Sequence, residues 1–185
     1  MTNVKEWTTR TAETAEKWGA GPWQDEPDKI QWVDEATNLD CLMHRHPVSG
    51  HWCGYVGVSE GHPYFEVGYS GCSLKPPCAA DYCDHSPDVD VHGGLTYAAF
   101  CREGDDESKG VCHVPEAGRP HRVWWLGFDC AHSGDVSSLG YRNDSNYRLE
   151  MFSGYDTYKD RRYVENQIRR LAKQLAAPPV TKDEP

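Results

Sequence analysis

The segment Val123 to Asp135, VWWLGFDCAHSGD, constrains the fold of this chain more than any other stretch. Its first part is a continuous run of apolar and aromatic residues, with the length and composition of a buried strand. The run ends at Asp129, and Cys130, His132 and Asp135 follow directly. Because a core strand that ends in such side chains holds them close together, the segment predicts one wall of a functional site.

The core around this strand must be built largely from aromatic rings, because aliphatic residues are scarce. Leu, Ile, Val and Phe make up about 16% of the chain, which with a net charge of −10 is typical of disordered proteins. The seven Trp, ten Tyr and eight Cys oppose that interpretation, since each buried ring removes about 150–250 Å² from water. The composition therefore predicts a folded chain.

The hydrophobic pattern predicts an α+β fold, in which an antiparallel, aromatic-rich sheet carries a short N-terminal helix and a longer C-terminal helix. Between Ile30 and Val58 the segments IQWV, CLMH and HWCGYVGV predict a meander of three strands. VCHVP and HRVWWLGFDC predict two more strands. Helical spacing over residues 7–18 predicts the first helix, which would present Trp7, Thr11, Ala15 and Trp18.

The C-terminal helix is predicted to follow Thr157 as its cap and to end before Pro178. Its apolar face is formed by Val164, Ile168, Leu171 and Leu175. Residues 1–177 are predicted to form a single domain with a long, irregular, Cys-rich insert at 59–90, and residues 178–185 a disordered tail.

Charge and hydropathy restrict the partners. The excess of 29 acidic over 19 basic residues disfavours nucleic acid, which needs a basic surface. The N-terminus lacks an apolar signal-like run, and no stretch reaches the roughly 18 apolar residues of a membrane span. These features predict a soluble cytoplasmic protein with no membrane partner, whose cysteines are thiols, metal ligands or a nucleophile rather than disulfides.

Two segments supply the candidate site. Gly-Gly after His92 allows close approach of a ligand or of another backbone, and the turn after His132 can bring Asp135 back beside that ring. The simpler alternatives are a Gly-Gly turn with a surface histidine, and a buried cysteine beside a hydrogen-bonded histidine. The candidate catalytic residues are His92, Asp129, His132 and Asp135. The candidate ligand-binding residues are Gly93, Gly94, Trp124, Arg161 and Arg162.

A second cluster lies in the Cys-rich insert, with the spacing C-x5-C-x4-C-x-H. Four soft ligands this close can hold a structural zinc ion that orders a long loop, although a C-x2-C pair is missing. Unpaired thiols and a disulfide are the alternatives. If zinc binds, a chelator should increase proteolysis of residues 70–90 and leave the sheet folded. The predicted ligands are Cys72, Cys78, Cys83 and His85.

Other polar residues have simpler interpretations. His44 and His46 share a face of one strand and are predicted to face solvent. Cys112 is predicted to lie in the core, with His113 on the surface or in a pocket. The Arg161-Arg162 and Arg169-Arg170 pairs are predicted to form the wet face of the last helix, and they are also the candidates to hold a phosphate.

The blocks GPWQDEPDKIQW, CGYVGV, VHGGLTY, CHVP and VWWLGFDCAHSGD resemble a group of small proteins of tailed phages and prophages. The resemblance covers about residues 20–135 and the final helix, and the last block is the most specific. It implies a virus-associated accessory protein of the host cell cytosol and no particular reaction. The Cys72–His85 insert is not part of the pattern, which indicates local reinforcement rather than shared chemistry.

Three functional hypotheses follow. The first is a small hydrolase, metal-assisted or relying on His/Asp acid-base chemistry, that acts on a small phosphorylated or nucleotide-like ligand. The second is a non-catalytic binder that sequesters such a ligand or blocks a host defence protein through its Trp/Tyr surface. The third makes Cys130 or Cys112 a covalent nucleophile, which requires a low thiol pKa.

Overall fold

Residues 1–69, 87–101, 106–138 and 156–177 are described by a computed structural model. Six antiparallel strands form one sheet in the order β1-β2-β3-β4-β6-β5. They are β1 Thr2–Trp7, β2 Lys29–Val33, β3 Asp40–Arg45, β4 Trp52–Val58, β5 Tyr97–Phe100 and β6 Trp124–Asp129. The helices are α1 Ala12–Trp18 and α2 Arg161–Ala176, and a short parallel pair joins β7 Asp135–Val136 to β8 Thr157–Tyr158.

This arrangement confirms the predicted α+β fold, including the meander β2-β3-β4 and the strand within HRVWWLGFDC. Helix α2 covers one face of the sheet with its predicted apolar residues, all of which are buried. Gly54 on β4 allows this close packing, because a Cβ there would lie 2.6 Å from Phe128 and 2.8 Å from Ile168. Tryptophans supply much of the buried volume: Trp23, Trp32, Trp52, Trp124 and Trp125 are fully buried.

The other face of the sheet is covered by an irregular segment, residues 106–123. Its carbonyls at Glu107 and Cys112 accept hydrogen bonds from the buried Lys29 ammonium. The Gln31 side chain exchanges two 2.8 Å hydrogen bonds with the backbone of Val114. The prediction of a strand at VCHVP is therefore wrong: the side chains of β2 satisfy this backbone, so no strand partner is needed.

Two expectations about this segment are corrected. Cys112 is buried as predicted, but it forms a disulfide with Cys101 at the end of β5, so it is not a free thiol. His113 is buried, so the surface alternative for it is wrong, and its ring packs edge-on against Trp125 with centroids 5.4 Å apart.

Both helices begin later than predicted, because the residues before them belong to strands. Trp7 lies in β1, paired with Lys29, and α1 begins after Thr11, whose side chain accepts a hydrogen bond from Thr14 N. Thr157 lies in β8, and Asp160 caps α2 by accepting a 2.7 Å bond from Tyr163 N. Sheet pairing satisfies whole backbone segments, and it overrides the local capping preference.

His44 does not face solvent as predicted. It is half-buried and stacks on Tyr55 with ring centroids 5.3 Å apart. Its Nδ1 lies 2.9 Å from the Arg45 carbonyl, and its Nε2 lies 3.2 Å from the Tyr55 hydroxyl. Both ring nitrogens are thus used in the neutral form, with Nδ1–H donating and Nε2 accepting.

Acid is expected to destabilise the fold through this residue, because burial lowers the pKa of His44 from 6.5 to about 4. Below about pH 6.5 the unfolded chain binds a proton that the folded chain excludes. Stability should therefore fall by up to about 1.4 kcal/mol per pH unit until the pH reaches about 4. Urea unfolding of His44→Gln should show a shallower pH dependence than urea unfolding of the wild type. Equal slopes for the two proteins would contradict this role.

Candidate functional site

Three of the four predicted catalytic side chains meet at one end of the sheet. His92 Nε2 lies 2.7 Å from Asp135 Oδ2, and the His92 and His132 ring centroids are 5.4 Å apart. One candidate ligand atom on each of His92, His132 and Asp135 lies within 4.8 Å of the others. We call these three residues the His-His-Asp cluster. The segments that carry His92 and His132 thus lie side by side, and Asp135 lies beside His132 as the turn predicts.

The turn after β6 builds one half of this cluster. Asp135 N donates to the His132 carbonyl, and His132 N donates in return to Asp135 Oδ2 at 2.9 Å. Gly134 has a φ of +90°, a conformation that favours glycine. The carboxylate is therefore held by the loop that carries His132.

The Gly-Gly turn builds the other half. Gly93 and Gly94 have φ values of +66° and +81°, and the turn closes with a 3.0 Å bond from Gly94 N to the Val91 carbonyl. A Cβ on Gly93 would lie 2.1 Å from His132 Cε1. Gly93 is thus required for the His132 ring to pack against the turn that presents His92. A Cβ on Gly94 would meet nothing within 4 Å in the described part of the chain.

Helix α2 and the residues before it complete the surroundings. The Tyr163 hydroxyl lies 2.9 Å from His92 Nδ1, and Lys159 Nζ lies 3.5 Å from Asp135 Oδ1. Burial acts to raise the pKa of Asp135, but hydrogen bonds from His92 and from the His132 backbone outweigh it, and the pKa is lowered. Asp135 is therefore a buried carboxylate, ionised at neutral pH and engaged on both oxygens.

His132 has an unused nitrogen. Its Nδ1 is buried and has no hydrogen-bond partner among the described residues. The nearest carboxylate oxygens are Asp135 Oδ2 at 3.7 Å and Asp129 Oδ1 at 3.9 Å. Since buried polar atoms are almost always satisfied, this nitrogen is suited to a ligand that the protein itself does not supply.

The cluster fits a divalent transition metal. Two imidazoles and one carboxylate are the donor set of catalytic zinc sites, in which a fourth position stays open for water or substrate. Bonds of about 2.1 Å place tetrahedral ligands about 3.4 Å apart. Because the ligand atoms all lie within 4.8 Å of one another, the widest pair would have to close by at most about 1.4 Å. In that state His92 Nδ1–H would donate to the Tyr163 hydroxyl and fix the ring orientation.

Asp129 lies beside the cluster rather than within it. Its oxygens accept hydrogen bonds from Ala131 N at 3.0 Å and from Thr96 Oγ1 at 2.8 Å. The side chain is 30% exposed and lines a cavity of about 300 Å³ next to the cluster. This position suits a base that contacts substrate better than a metal ligand.

The candidate ligand-binding residues have mixed outcomes. Gly93 and Gly94 form the turn at the cluster, whereas Trp124 is buried in the core and its Nε1 donates to the Val67 carbonyl at 3.0 Å. Arg161 pairs with Glu6 and Glu165, both at 2.7 Å, so carboxylates already engage its guanidinium. Arg162 is exposed on α2, as are Arg169 and Arg170, in agreement with the predicted wet face.

Cysteine chemistry finds little support in the described residues. Cys130 is buried, and burial raises the pKa of its thiol, which disfavours the reactive thiolate at neutral pH. The other candidate nucleophile, Cys112, is disulfide-bonded.

The proposed zinc ligands of the insert lie outside the described residues, so that site stays a prediction: Cys72, Cys78, Cys83 and His85.

Two residues of the site were not predicted from the sequence, Lys159 and Tyr163. Each lies in a segment whose local pattern indicates only a helix start. They reach the cluster because α2 docks on the sheet and the β7-β8 pair anchors the residues just before the helix. Asp135 and Tyr163, which lie 43 and 71 positions from His92 in the sequence, thus contact its two ring nitrogens.

Comparisons with protein families, curated proteins and solved structures find no match. The resemblance to small tailed-phage proteins therefore stays a prediction. Within the described part of the chain, neither helix is long and apolar enough to cross a lipid bilayer.

Proposed function

We propose that this protein is a small metal-assisted hydrolase that acts on a phosphorylated or nucleotide-like ligand. The observation that carries the proposal is the His-His-Asp cluster, in which three donors converge and the buried His132 Nδ1 has no hydrogen-bond partner among the described residues. Perturbed and unsatisfied polar groups that gather beside a cavity are the general mark of an active site.

Each residue has a role in this proposal. His92, held by Tyr163, and His132, held against Gly93, are the neutral nitrogen donors. Asp135 is the anionic donor, and Lys159 partly balances its charge. A bound metal ion of the zinc type would supply a water whose pKa is lowered to about 7. Asp129, 3.9 Å from His132 Nδ1, would accept the proton of that water.

Without metal, the same contacts form an acid-base pair. The Tyr163 hydroxyl donates to His92 Nδ1, and His92 Nε2–H donates to Asp135. Zinc titration followed by elemental analysis separates the two versions of the hydrolase, because only the metal-assisted version requires stoichiometric metal for turnover.

His132→Ala tests the proposal directly. The variant should lose turnover while its affinity for the ligand stays within about tenfold of wild type, since a group that acts on the transition state contributes little to ground-state binding. Turnover would be measured with p-nitrophenyl phosphate and with nucleoside monophosphates and triphosphates. His121→Ala, at an exposed position away from the cluster, is the matched control and should retain full activity.

The alternative is a non-catalytic binder that sequesters a small ligand, a function favoured by the cavity beside the cluster. In that case neither wild type nor His132→Ala would form product, and His132→Ala would weaken binding directly. Both the hydrolase and the non-catalytic binder would be accessory proteins of a virus-infected cell, acting in the host cytosol or against a host defence protein. That role rests on the resemblance alone.

A further inference from the structure

The cavity next to the His-His-Asp cluster is lined by aromatic rings and by several polar side chains. Tyr55 and Tyr97 form an edge-on pair in its lining, with ring centroids 5.1 Å apart. Asp129 belongs to the same lining and also approaches His132, so the cavity and the cluster share this wall. A volume of about 300 Å³ lies at the small end of ligand pockets and suits a single ring system.

Two further histidines of the lining, His46 and His51, stack on each other with ring centroids 5.0 Å apart and planes 10° apart. The Ser49 hydroxyl lies 2.9 Å from His46 Nδ1 and 2.8 Å from His51 Nδ1. The Ser49 backbone N–H also donates to His46 Nδ1, at 3.3 Å. The Ser49 hydroxyl therefore contacts Nδ1 of both rings.

For neutral rings, one assignment of protons satisfies these three contacts. His46 Nδ1 accepts from the Ser49 backbone, so it carries no proton, and the Ser49 hydroxyl must donate to it. The hydroxyl oxygen is then free to accept from His51 Nδ1–H. As a result His46 Nε2 carries a proton and is a donor, whereas His51 Nε2 carries none and is an acceptor.

This donor and acceptor are available to a ligand. Neither Nε2 has a hydrogen-bond partner in the described part of the chain. Burial lowers the pKa of His51, which keeps that ring neutral and its Nε2 an acceptor at neutral pH. His46 and His51 both line the cavity, so its lining includes one hydrogen-bond donor and one acceptor together with the aromatic rings.

We propose that this cavity binds a nucleobase, through an edge that carries an adjacent acceptor and donor. All four bases have such an edge, and proteins that hold a single base combine hydrogen bonds to that edge with aromatic packing. The inference rests on the proposed function in one respect: the base would lie in the cavity while the scissile group lies at the His-His-Asp cluster, across Asp129.

The test is a titration of chelator-treated, metal-free protein with adenosine, cytidine, guanosine and uridine, followed by NMR. At least one nucleoside should bind and shift the His46 and His51 ring signals. Its analogue with no hydrogen left on the donor nitrogen, such as 3-methyluridine for uridine or N6,N6-dimethyladenosine for adenosine, should bind at least tenfold more weakly. His46→Phe and His51→Phe keep an aromatic ring and remove Nε2, and each should weaken binding at least tenfold, whereas His121→Phe should not.

Failure of all four nucleosides to bind would overturn the inference, as would binding that survives both methylation and the His46→Phe and His51→Phe substitutions. Because binding is measured without metal, the result does not depend on catalysis. Nucleoside binding with no turnover by the metal-loaded protein would support the cavity and contradict the hydrolase. Turnover without nucleoside binding would do the reverse.

Discussion

Gly93→Ala is expected to dismantle the His-His-Asp cluster without touching any of its three side chains. The new Cβ would lie 2.1 Å from His132 Cε1 and 2.4 Å from its Nε2, so the ring must leave its position against the turn. Loss of one of the three ligands should reduce zinc affinity by more than about 100-fold. Substitution of a residue that only supports a ligand typically reduces metal affinity by about 10- to 100-fold, so the loss of a ligand itself should exceed that range. Zinc titration calorimetry and the NMR signals of His132 would report this change.

The adjacent glycine offers a matched control. Gly94 also has a positive φ, +81°, but a Cβ there has no neighbour within 4 Å among the described residues. Gly94→Ala should therefore cost about 1–2 kcal/mol of stability through backbone strain and leave zinc affinity unchanged. Equal zinc affinities for the two variants would show that the contact between Gly93 and His132 does not hold the site together.

Asp135→Asn should have the second large effect. The substitution removes the only anionic donor of the cluster and replaces one oxygen with an amide nitrogen, close to His92 and Lys159. We expect zinc affinity to fall by more than about 100-fold and turnover to be lost. The variant should also unfold at lower urea, because the side chain is only 2% exposed and holds the turn through His132 N.

Asp129→Asn separates the roles of the two carboxylates. Asp129 is not one of the three converging donors, and its contacts are to Thr96 and Ala131. This variant should bind zinc within about tenfold of wild type and lose most of its turnover, because a proton acceptor typically contributes about 100-fold or more to the rate. Loss of zinc from Asp129→Asn and not from Asp135→Asn would reverse the assignment of ligand and base.

Local pattern was sufficient for the main elements of the fold. The strands within IQWV, CLMH, HWCGYVGV and HRVWWLGFDC and the apolar face of α2 follow from hydrophobic periodicity, which reports burial one element at a time. The strand at VCHVP and the helix start at Trp7 failed because long-range partners decided them. Gln31 and Lys29 satisfy the VCHVP segment with side chains, and Lys29 pairs with Trp7 in the sheet.

For the site, the sequence by itself determined that ligand-type residues follow the strongest strand and that a glycine pair follows a second histidine. It also determined the return of Asp135 beside His132, since a turn three residues long is a local event. Tertiary structure decided the rest. The antiparallel order β4-β6-β5 and the docking of α2 bring His92 and Lys159 to Asp135, and Tyr163 to His92. The β3-β4 hairpin brings His46 and His51 to the neighbouring cavity. Such contacts span up to 71 residues between hydrogen-bonded partners, and no local periodicity encodes them, because they depend on which faces of distant elements pack together.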